Sequence, residues 1–466
     1  MSDFSLIIYP QIVIKGYMRF ALLCVLLTIW MALPAGARPV DTEALDARLN
    51  RLMKERGMVG MAVVVVEDGQ IIHRKGYGVT LQGSGDPVTE DTVFRWASLS
   101  KAIGAAMAVK LAEDGKIDLS RAIGSYNTTL RLPGGGEDEA NMYNLLAHQL
   151  SIVRNAYDNR LEAGTMPGTI RKQLRDLPIE CAIGTCHGYQ NVAYDTVSEI
   201  VSGATGEPYQ LATKRMLFDP LSMDRANMTK SGLQNSPRWA RPHNRNGRNV
   251  YRRMSESYFR VPAAGGVNGS ISDMGIWMLA NMGAYPNVLS TGALSQLQTP
   301  QVMTPRERRR VRRFFPRMTR AEYGLGWRIY DYAGNKTVGH RGAVNGYRAM
   351  IMFDPAKKSG VAVLWNSSSN QPVGIQLEVM DAIYDLPAQD WLYLDQGPDL
   401  RKIRRLHPEV LEPEIIPIPR ISPQKQDRHY PDDHGAPLFT VSACFGFSSR
   451  GQADLPFEEQ SRPPQF

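Results

Sequence analysis

The stretch SLSKAIGAAMAVKLAE, residues 98–113, decides how this chain folds. It is apolar on nearly every side, whereas a helix at a protein surface keeps one polar face. Gly115 follows it closely, and glycine commonly ends helices. The stretch therefore predicts a buried helix against which other elements pack.

On either side of this helix, local patterns predict the strands of one sheet. The runs MAVVVV at 61–66 and IIHRKGY at 71–77 have strand composition and flank Glu67-Asp68-Gly69, a hairpin signal. Strand-like runs return at 347–353 and 360–365. Strands at both ends of the chain predict an α+β fold, in which helices flank an antiparallel sheet built from distant segments.

The remaining segments complete the predicted organisation. Apolar residues at helical spacing predict helices at 42–56 and 371–386. The middle of the chain combines helical periods with many Asn, Gly and Pro, which is typical of a helical insertion with long loops. We divide the chain into a signal peptide at 1–37, a sheet domain at 38–129 and 262–396, an inserted helical domain at 130–261 and a Pro-rich, loosely ordered extension at 397–466.

The start of the chain has the pattern of a secretory signal. Basic residues precede the apolar run FALLCVLLTIWMAL at 20–33, and Ala35-Gly36-Ala37 has the small residues of a cleavage site. Either Met1 or Met18 is the start. A signal anchor is the alternative, but about 14 apolar residues are short for a ~30 Å hydrocarbon core. The pattern predicts cleavage after Ala37 and a periplasmic or extracellular protein.

Cysteine and histidine usage bears on redox state and metals. Cys181 and Cys186 are close enough to form a small-loop disulfide after export, and two free thiols are the equal alternative. The chain has no CxxC pair and no HExxH, and its eight His are scattered. The sequence therefore predicts no metal site.

Within the predicted buried helix, Ser98 and Lys101 form a candidate nucleophile pair. Side chains three positions apart lie on one helix face. Burial disfavours a charged lysine, and an uncharged lysine can take the proton of a serine nucleophile. The alternative is a helix-capping serine beside a lysine that extends to solvent. The spacing alone is weak evidence, since Ser422 and Lys425 repeat it in the Pro-rich tail.

The residues around Ser98 carry a family resemblance. Phe94-Arg95-Trp96-Ala97-Ser98-Leu99-Ser100-Lys101 resembles the nucleophile segment of class C β-lactamases and the related penicillin-binding D-Ala-D-Ala peptidases and esterases. The similarity extends to the hairpin and to LAEDGKIDL at 111–119, and covers about residues 40–390. It implies a cofactor-free serine hydrolase that forms an acyl-enzyme on Ser98.

The second motif of that family is Tyr-x-Asn, and the chain has three copies. The family-like helix pattern at 192–206 follows only the copy Tyr189-Gln190-Asn191. The resemblance therefore assigns proton exchange to Tyr189 and substrate binding to Asn191. The copies at 157–159 and 285–287 are interpreted as turns.

The third family motif is Lys-Thr/Ser-Gly or His-x-Gly on the sheet edge beside the nucleophile. Lys-Ser-Gly occurs at 230–232 and 358–360, in a loop and in a turn between strands, so both are set aside. His340-Arg341-Gly342-Ala343 matches the other form. By resemblance, Tyr189 or His340 activates the deacylating water, although an ordinary buried or surface histidine is the alternative for His340.

Three substrate contacts follow from this motif. Gly342 would let a substrate backbone approach closely. By resemblance to the family, the N–H groups of Ala343 and Ser98 would form the oxyanion hole. Arg341 would either pair with a substrate carboxylate or point into solvent.

The resemblance leaves the substrate open. β-Lactams and D-Ala-terminated peptides rank close together and esters behind them. A non-catalytic relative that binds cell-wall material is the alternative from another class. The retained Ser98, Lys101, Tyr189 and His340 argue against that alternative.

The charge of the chain is concentrated in one segment. The formal net charge is +8, of which residues 1–37 supply +1. Residues 305–320 (PRERRRVRRFFPRMTR) hold eight Arg and one Glu, so the rest of the mature chain is neutral. We expect a solvated loop away from the catalytic motifs, or alternatively a patch at Arg306–Arg320 for an anionic envelope surface. Predicted export disfavours nucleic acid as a partner.

Overall fold

The computed structural model describes residues 40–244 and 250–395. The predicted signal peptide, the site of its cleavage and the predicted extension lie outside these residues. The described strands are β1 Gly60–Glu67, β2 Gln70–Gly78, β3 Phe94–Arg95, β4 His243–Asn244, β5 Val250–Tyr251, β6 Asn268–Gly269, β7 Val302–Met303, β8 Met318–Tyr323, β9 Arg328–Tyr332, β10 Asn335–Val344, β11 Tyr347–Asp354 and β12 Ser359–Trp365.

Helices surround these strands. The described α-helices are α1 Thr42–Leu52, α2 Ser100–Glu113, α3 Met142–Leu146, α4 Asp158–Glu162, α5 Pro167–Gln173, α6 Thr196–Thr205, α7 Tyr209–Thr213, α8 Lys230–Gln234, α9 Pro262–Gly265, α10 Ile271–Asn281, α11 Thr291–Gln298, α12 Pro305–Val311 and α13 Ile375–Ile383.

The main sheet is antiparallel and joins the two ends of the described chain. Its order is β2-β1-β12-β11-β10-β9-β8-β7, with Met61 opposite Trp365 where the early and late strands meet. Alternate residues of β1 face opposite layers. Val64 packs in the core that contains α2 and α10, and Val63 packs in the core that contains α1 and α13. The predicted α+β class, with an antiparallel sheet flanked by helices, is confirmed.

Residues 130–261 hold short helices together with β4 and β5. Their buried residues, among them Leu146, Leu161 and Ile200, belong to the same hydrophobic core as Val64 of the sheet. The boundaries of an inserted domain stay a prediction. Within the described part of the chain, no helix has the length and apolar character needed to cross a membrane.

Cys181 and Cys186 are joined by a disulfide bond, the first of the two predicted states. The bridge closes a short loop that directly precedes Tyr189 in the chain. Gly184 in this loop donates its N–H to the carbonyl of Gln149. The disulfide therefore restrains the segment that leads into the Tyr-x-Asn motif.

Candidate active site

Ser98 lies in a tight turn that leads into α2. Residues Ala97–Leu99 form a 3₁₀ turn, and Ala97 has a left-handed backbone with φ 49°. Ser100 holds this turn, because its Oγ donates to the Ala97 carbonyl (2.6 Å) and accepts from the N–H of Val267 (3.0 Å). The Ser98 side chain is half-buried. The nucleophile candidate therefore stands on a rigid turn at the start of the predicted buried helix.

Lys101 is completely buried one turn into this segment. Its Nζ donates to Asn191 Oδ1 (2.7 Å) and to the carbonyl of Ala264 (3.0 Å). The alternative of a lysine that extends to solvent is therefore wrong. The Lys101–Asn191 hydrogen bond joins two motifs that lie 90 positions apart in the chain.

Tyr189 lies beside the lysine. The Lys101 Nζ is 4.6 Å from the centroid of the Tyr189 ring, and the Tyr189 side chain is 7% exposed. The structure therefore brings together Lys101, Tyr189 and Asn191. The Tyr-x-Asn copy at 189–191, which the sequence analysis selected, is thus the copy that contacts the lysine. Asp158, from the copy set aside as a turn, contacts Asn191 as well.

Strand β10 passes directly against the turn that carries Ser98. A Cβ on Gly342 would lie 2.2 Å from the carbonyl oxygen of Trp96 and 3.1 Å from the Cβ of Ala97. Gly342 is thus required because strand β10 packs against the backbone of the Ser98 turn. The sequence analysis instead expected Gly342 to allow the close approach of a substrate backbone. The contact places the N–H groups of Ala343 and Ser98, the predicted oxyanion-hole donors, on adjoining segments.

His340 is 1% exposed, and both of its ring nitrogens are engaged. Nδ1 lies 3.0 Å from the carbonyl oxygen of Arg341, which can only accept, so Nδ1 carries the proton. Nε2 therefore accepts from the hydroxyl of Tyr323 at 2.9 Å. Burial, together with nearby cations, lowers the pKa of His340 well below its usual value, and the ring is neutral. The sequence did not indicate this contact, because no motif links Tyr323 to His340.

Two further histidines line the same aromatic cluster. The ring centroid of His148 lies 4.4 Å from that of Tyr189 and 4.9 Å from that of Tyr323, and His187 packs edge-on to His148. Burial lowers the pKa of His148 well below its usual value and that of His187 to about 4. Neutral imidazoles therefore surround Tyr189. They were treated as scattered because no local spacing links them.

Arg341 occupies neither of its two predicted positions. Side chains alternate along β10, so Arg341 lies on the face opposite His340, where its guanidinium pairs with the buried carboxylate of Glu307. Arg328 also approaches Glu307, at 3.4 Å. Burial favours a neutral carboxyl, but Arg328 and Arg341 hold the pKa of Glu307 below its usual value. The Arg341 guanidinium is thus paired within the protein.

Glu307 belongs to the Arg-rich segment, which changes the interpretation of that segment. The predicted solvated loop is wrong, because residues 305–311 form α12 and residues 312–314 a 3₁₀ turn. The expected distance from the site is also wrong, since Glu307 contacts Arg341. The single acidic residue of the segment, Glu307, points inward and pairs with arginines of strands β9 and β10.

No cluster of three or more His, Cys, Asp or Glu suited to a metal ion occurs within residues 40–244 and 250–395. The charged groups of the site are instead a lysine, arginines and two carboxylates, all hydrogen-bonded or paired inside the protein.

Fold and site together define a class of protein: a sheet-and-helix hydrolase scaffold in which a buried lysine lies one helical turn from a serine. The family model described as Beta-lactamase matches residues 45–383. The chain belongs to the β-lactamase family.

Individual relatives are distant. The chain is 28% identical over 195 residues to esterase EstB of Burkholderia gladioli, covering 38% of this chain and 49% of that protein. It is 26% identical over 218 residues to the D-alanyl-D-alanine-carboxypeptidase/endopeptidase AmpH of Escherichia coli (strain K12), covering 45% and 56%. The chain thus spans about half the length of these two relatives.

A solved structure shows the same fold. The octameric penicillin-binding protein homologue from Pyrococcus abyssi superposes with a TM-score of 0.67 at 23% identity, covering 76% of this chain and 80% of that one. The fold expected from the family resemblance is therefore confirmed.

Proposed function

We propose that this chain is a serine hydrolase that acts through an acyl-enzyme on Ser98. The observation that carries the proposal is the hydrogen bond from the buried Lys101 Nζ to Asn191 Oδ1, with the Tyr189 ring 4.6 Å from the same nitrogen. These contacts gather a proton acceptor, a phenol and an amide beside the turn that holds Ser98. A serine needs such neighbours to act as a nucleophile at neutral pH.

The reaction follows in two steps. Ser98 Oγ bonds to the substrate carbonyl carbon while its proton passes to the Lys101 amine, beside which the Tyr189 ring lies. The N–H groups of Ser98 and Ala343 bind the oxyanion. The proton then goes to the leaving amine or alkoxide as the carbonyl–leaving-group bond breaks. In the second step a water oxygen bonds to the acyl carbonyl carbon, the bond from that carbon to Ser98 Oγ breaks, and the water proton passes through Tyr189 to Ser98 Oγ, which restores the serine and gives the free acid.

The geometry favours Tyr189 over His340 as the base for the water. The Nε2 lone pair of His340 already accepts from the hydroxyl of Tyr323, and its ring is almost inaccessible. The Tyr189 ring faces the lysine instead. His340 then acts by holding the aromatic cluster in place beside the nucleophile.

We propose an amide substrate first, either a β-lactam or a D-Ala-terminated peptide, in line with the AmpH relative. An ester is the second candidate, and two observations favour it. EstB is an esterase by name, and Arg341 is paired with Glu307, so it offers no free charge to a substrate carboxylate. A non-catalytic role is opposed by the intact contacts of Lys101.

Turnover of four substrates by the native protein and by Ser98→Ala tests the function. The four substrates are a penicillin, a chromogenic cephalosporin, a D-Ala-D-Ala peptide and a p-nitrophenyl ester. Together they distinguish β-lactam hydrolysis, peptide hydrolysis and ester hydrolysis. We expect Ser98→Ala to lose at least about 10³-fold in kcat on whichever substrate is hydrolysed. Hydrolysis that is equal in both proteins would contradict the proposal.

We further propose export to the periplasm or beyond. The signal pattern at 1–37 supports it, and so does the Cys181–Cys186 disulfide, because disulfides persist in oxidising compartments. N-terminal sequencing of the mature protein should begin at Arg38. A retained apolar run at 20–33 would contradict cleavage.

The Arg-rich segment supports a third proposal, an anionic envelope surface as partner. Six of its exposed arginines form no ion pair with the described residues, whereas Arg320 pairs with Glu322, and Phe315 beside the six is 59% exposed. Cations and an exposed aromatic ring together suit an anionic lipid surface. The six exposed arginines without such an ion pair are Arg306, Arg308, Arg309, Arg310, Arg312 and Arg313.

Vesicle co-sedimentation tests this partner. Changing Arg306, Arg308, Arg309 and Arg312 to Gln should abolish salt-sensitive binding to phosphatidylglycerol vesicles while hydrolysis stays unchanged. Four exposed basic residues elsewhere serve as a matched control when changed to Gln: Arg121, Lys172, Arg175 and Lys214. Equal binding by both variants, or no preference over phosphatidylcholine, would contradict the proposal.

A further inference from the structure

Asp158 makes an unusual contact for a residue of a predicted turn. It begins α4, and its Oδ2 accepts a 2.7 Å hydrogen bond from Nδ2 of Asn191. Asn191 in turn accepts from Lys101 through Oδ1. We propose that Asp158 is a positioning residue, which orients Asn191 and through it the lysine; this inference rests on the proposed function.

The orientation of the Asn191 amide is the first step of the argument. An amide side chain has one donor end and one acceptor end. An ionised carboxylate only accepts, so Asp158 selects the Nδ2 end and turns Oδ1 toward Lys101. The opposite orientation would turn Oδ1 of Asn191 toward the Asp158 carboxylate, where two acceptor oxygens would repel each other, and would turn an NH₂ donor toward Lys101. Asp158 therefore decides which atom of Asn191 the lysine meets.

The burial of Asp158 supports a role beyond stability. Oδ1 is buried without a hydrogen-bond partner among the described residues, so the bond from Asn191 to Oδ2 is the one side-chain hydrogen bond that this carboxylate receives there. Burial raises the pKa of Asp158, against the opposing effects of Asn191, Lys101 and Arg154. A buried carboxyl group whose pKa is raised by burial and which has a specific hydrogen-bond partner is typical of a functional site.

The neighbours of Asp158 allow a matched control. Glu162 lies one turn further along α4, and its carboxylate accepts a 2.9 Å hydrogen bond from the hydroxyl of Tyr258. Among the described residues, the side-chain hydrogen bonds of Asn191 are with Lys101 and Asp158. It also contributes to the electrostatic environment of Asp158. Glu162→Gln therefore removes a nearby charge on the same helix and leaves the Asp158–Asn191 contact intact.

The test is the rate of acylation, measured by stopped flow with a chromogenic ester or cephalosporin. We expect Asp158→Ala to lower the acylation rate and kcat by about 10- to 100-fold, with KM within about threefold. Asp158→Asn keeps an acceptor oxygen for Asn191, so it should restore the rate to within about fivefold of the native protein. Glu162→Gln should match the native protein. Urea unfolding of each variant shows whether a lower acylation rate comes from a loss of folded protein.

The outcomes are distinguishable. A native protein that acylates Ser98, together with an Asp158→Ala variant of unchanged kcat, would overturn this inference alone. So would an Asp158→Asn variant that is folded but as slow as Asp158→Ala. A native protein that never acylates Ser98 would overturn the proposed function and the inference with it.

Discussion

Replacing Gly342 by Ala probes the contact between strand β10 and the Ser98 turn. The added Cβ would lie 2.2 Å from the carbonyl oxygen of Trp96, where real Cβ atoms stay beyond 3.0 Å. The strand and the turn must therefore separate by about 0.8 Å. A misplacement of about 1 Å in an active site can lower the rate about 10²-fold. Since the oxyanion-hole donors sit on these two segments, we expect kcat/KM to fall about 100-fold.

Gly360→Ala is the control for this change. A Cβ there would lie 2.6 Å from the carbonyl oxygen of Met352, a comparable clash in the same sheet but in strand β12. Both variants should lose about 1–3 kcal/mol of unfolding free energy, measured with urea. Only Gly342→Ala should lose activity beyond its loss of folded protein. Equal kcat/KM in the two variants would refute the assignment of the oxyanion hole to this contact.

Three further changes test other parts of the structure. Tyr323→Phe removes the donor to His340 Nε2, and we expect kcat to fall about tenfold with little change in KM; an unchanged kcat would contradict a role for this pair. The folded-state pKa values of His148 and His340 are well below 6.5, so the unfolded chain binds more protons in acid. The unfolding free energy should therefore fall below about pH 6.5, by up to about 1.4 kcal/mol per pH unit for each histidine, and a flat profile from pH 7 to 5 would contradict their burial. Reducing Cys181–Cys186 should cost about 2 kcal/mol in the same urea assay, whereas an unchanged midpoint would contradict the bridge.

The sheet and the buried helix could be predicted because their signals are local. Residues 98–113 are apolar on nearly every side, and the hairpin contains its own turn, so neither signal depends on a distant segment of the chain. The strands β11 and β12 extend over Tyr347–Asp354 and Ser359–Trp365, one residue beyond the predicted runs at most. Periodicity and turn chemistry thus indicate which elements exist.

Side-chain partners from distant segments could not be predicted this way. Asp158 was read as part of a turn, because its contact with Asn191 spans 33 positions. Glu307 was read as one acid in a basic loop, because Arg341 and Arg328 reach it from other strands. In each case a buried carboxylate needs a hydrogen-bond or ion-pair partner, and only the folded structure shows which residue lies close enough to supply it.

The most direct test of the account is the intact mass of the protein after brief exposure to a penicillin and to the p-nitrophenyl ester. The account predicts a covalent gain equal to the acyl group, mapped by peptide digestion to Ser98, and no gain in Ser98→Ala. An adduct on another residue, or hydrolysis by Ser98→Ala at the native rate, would contradict it.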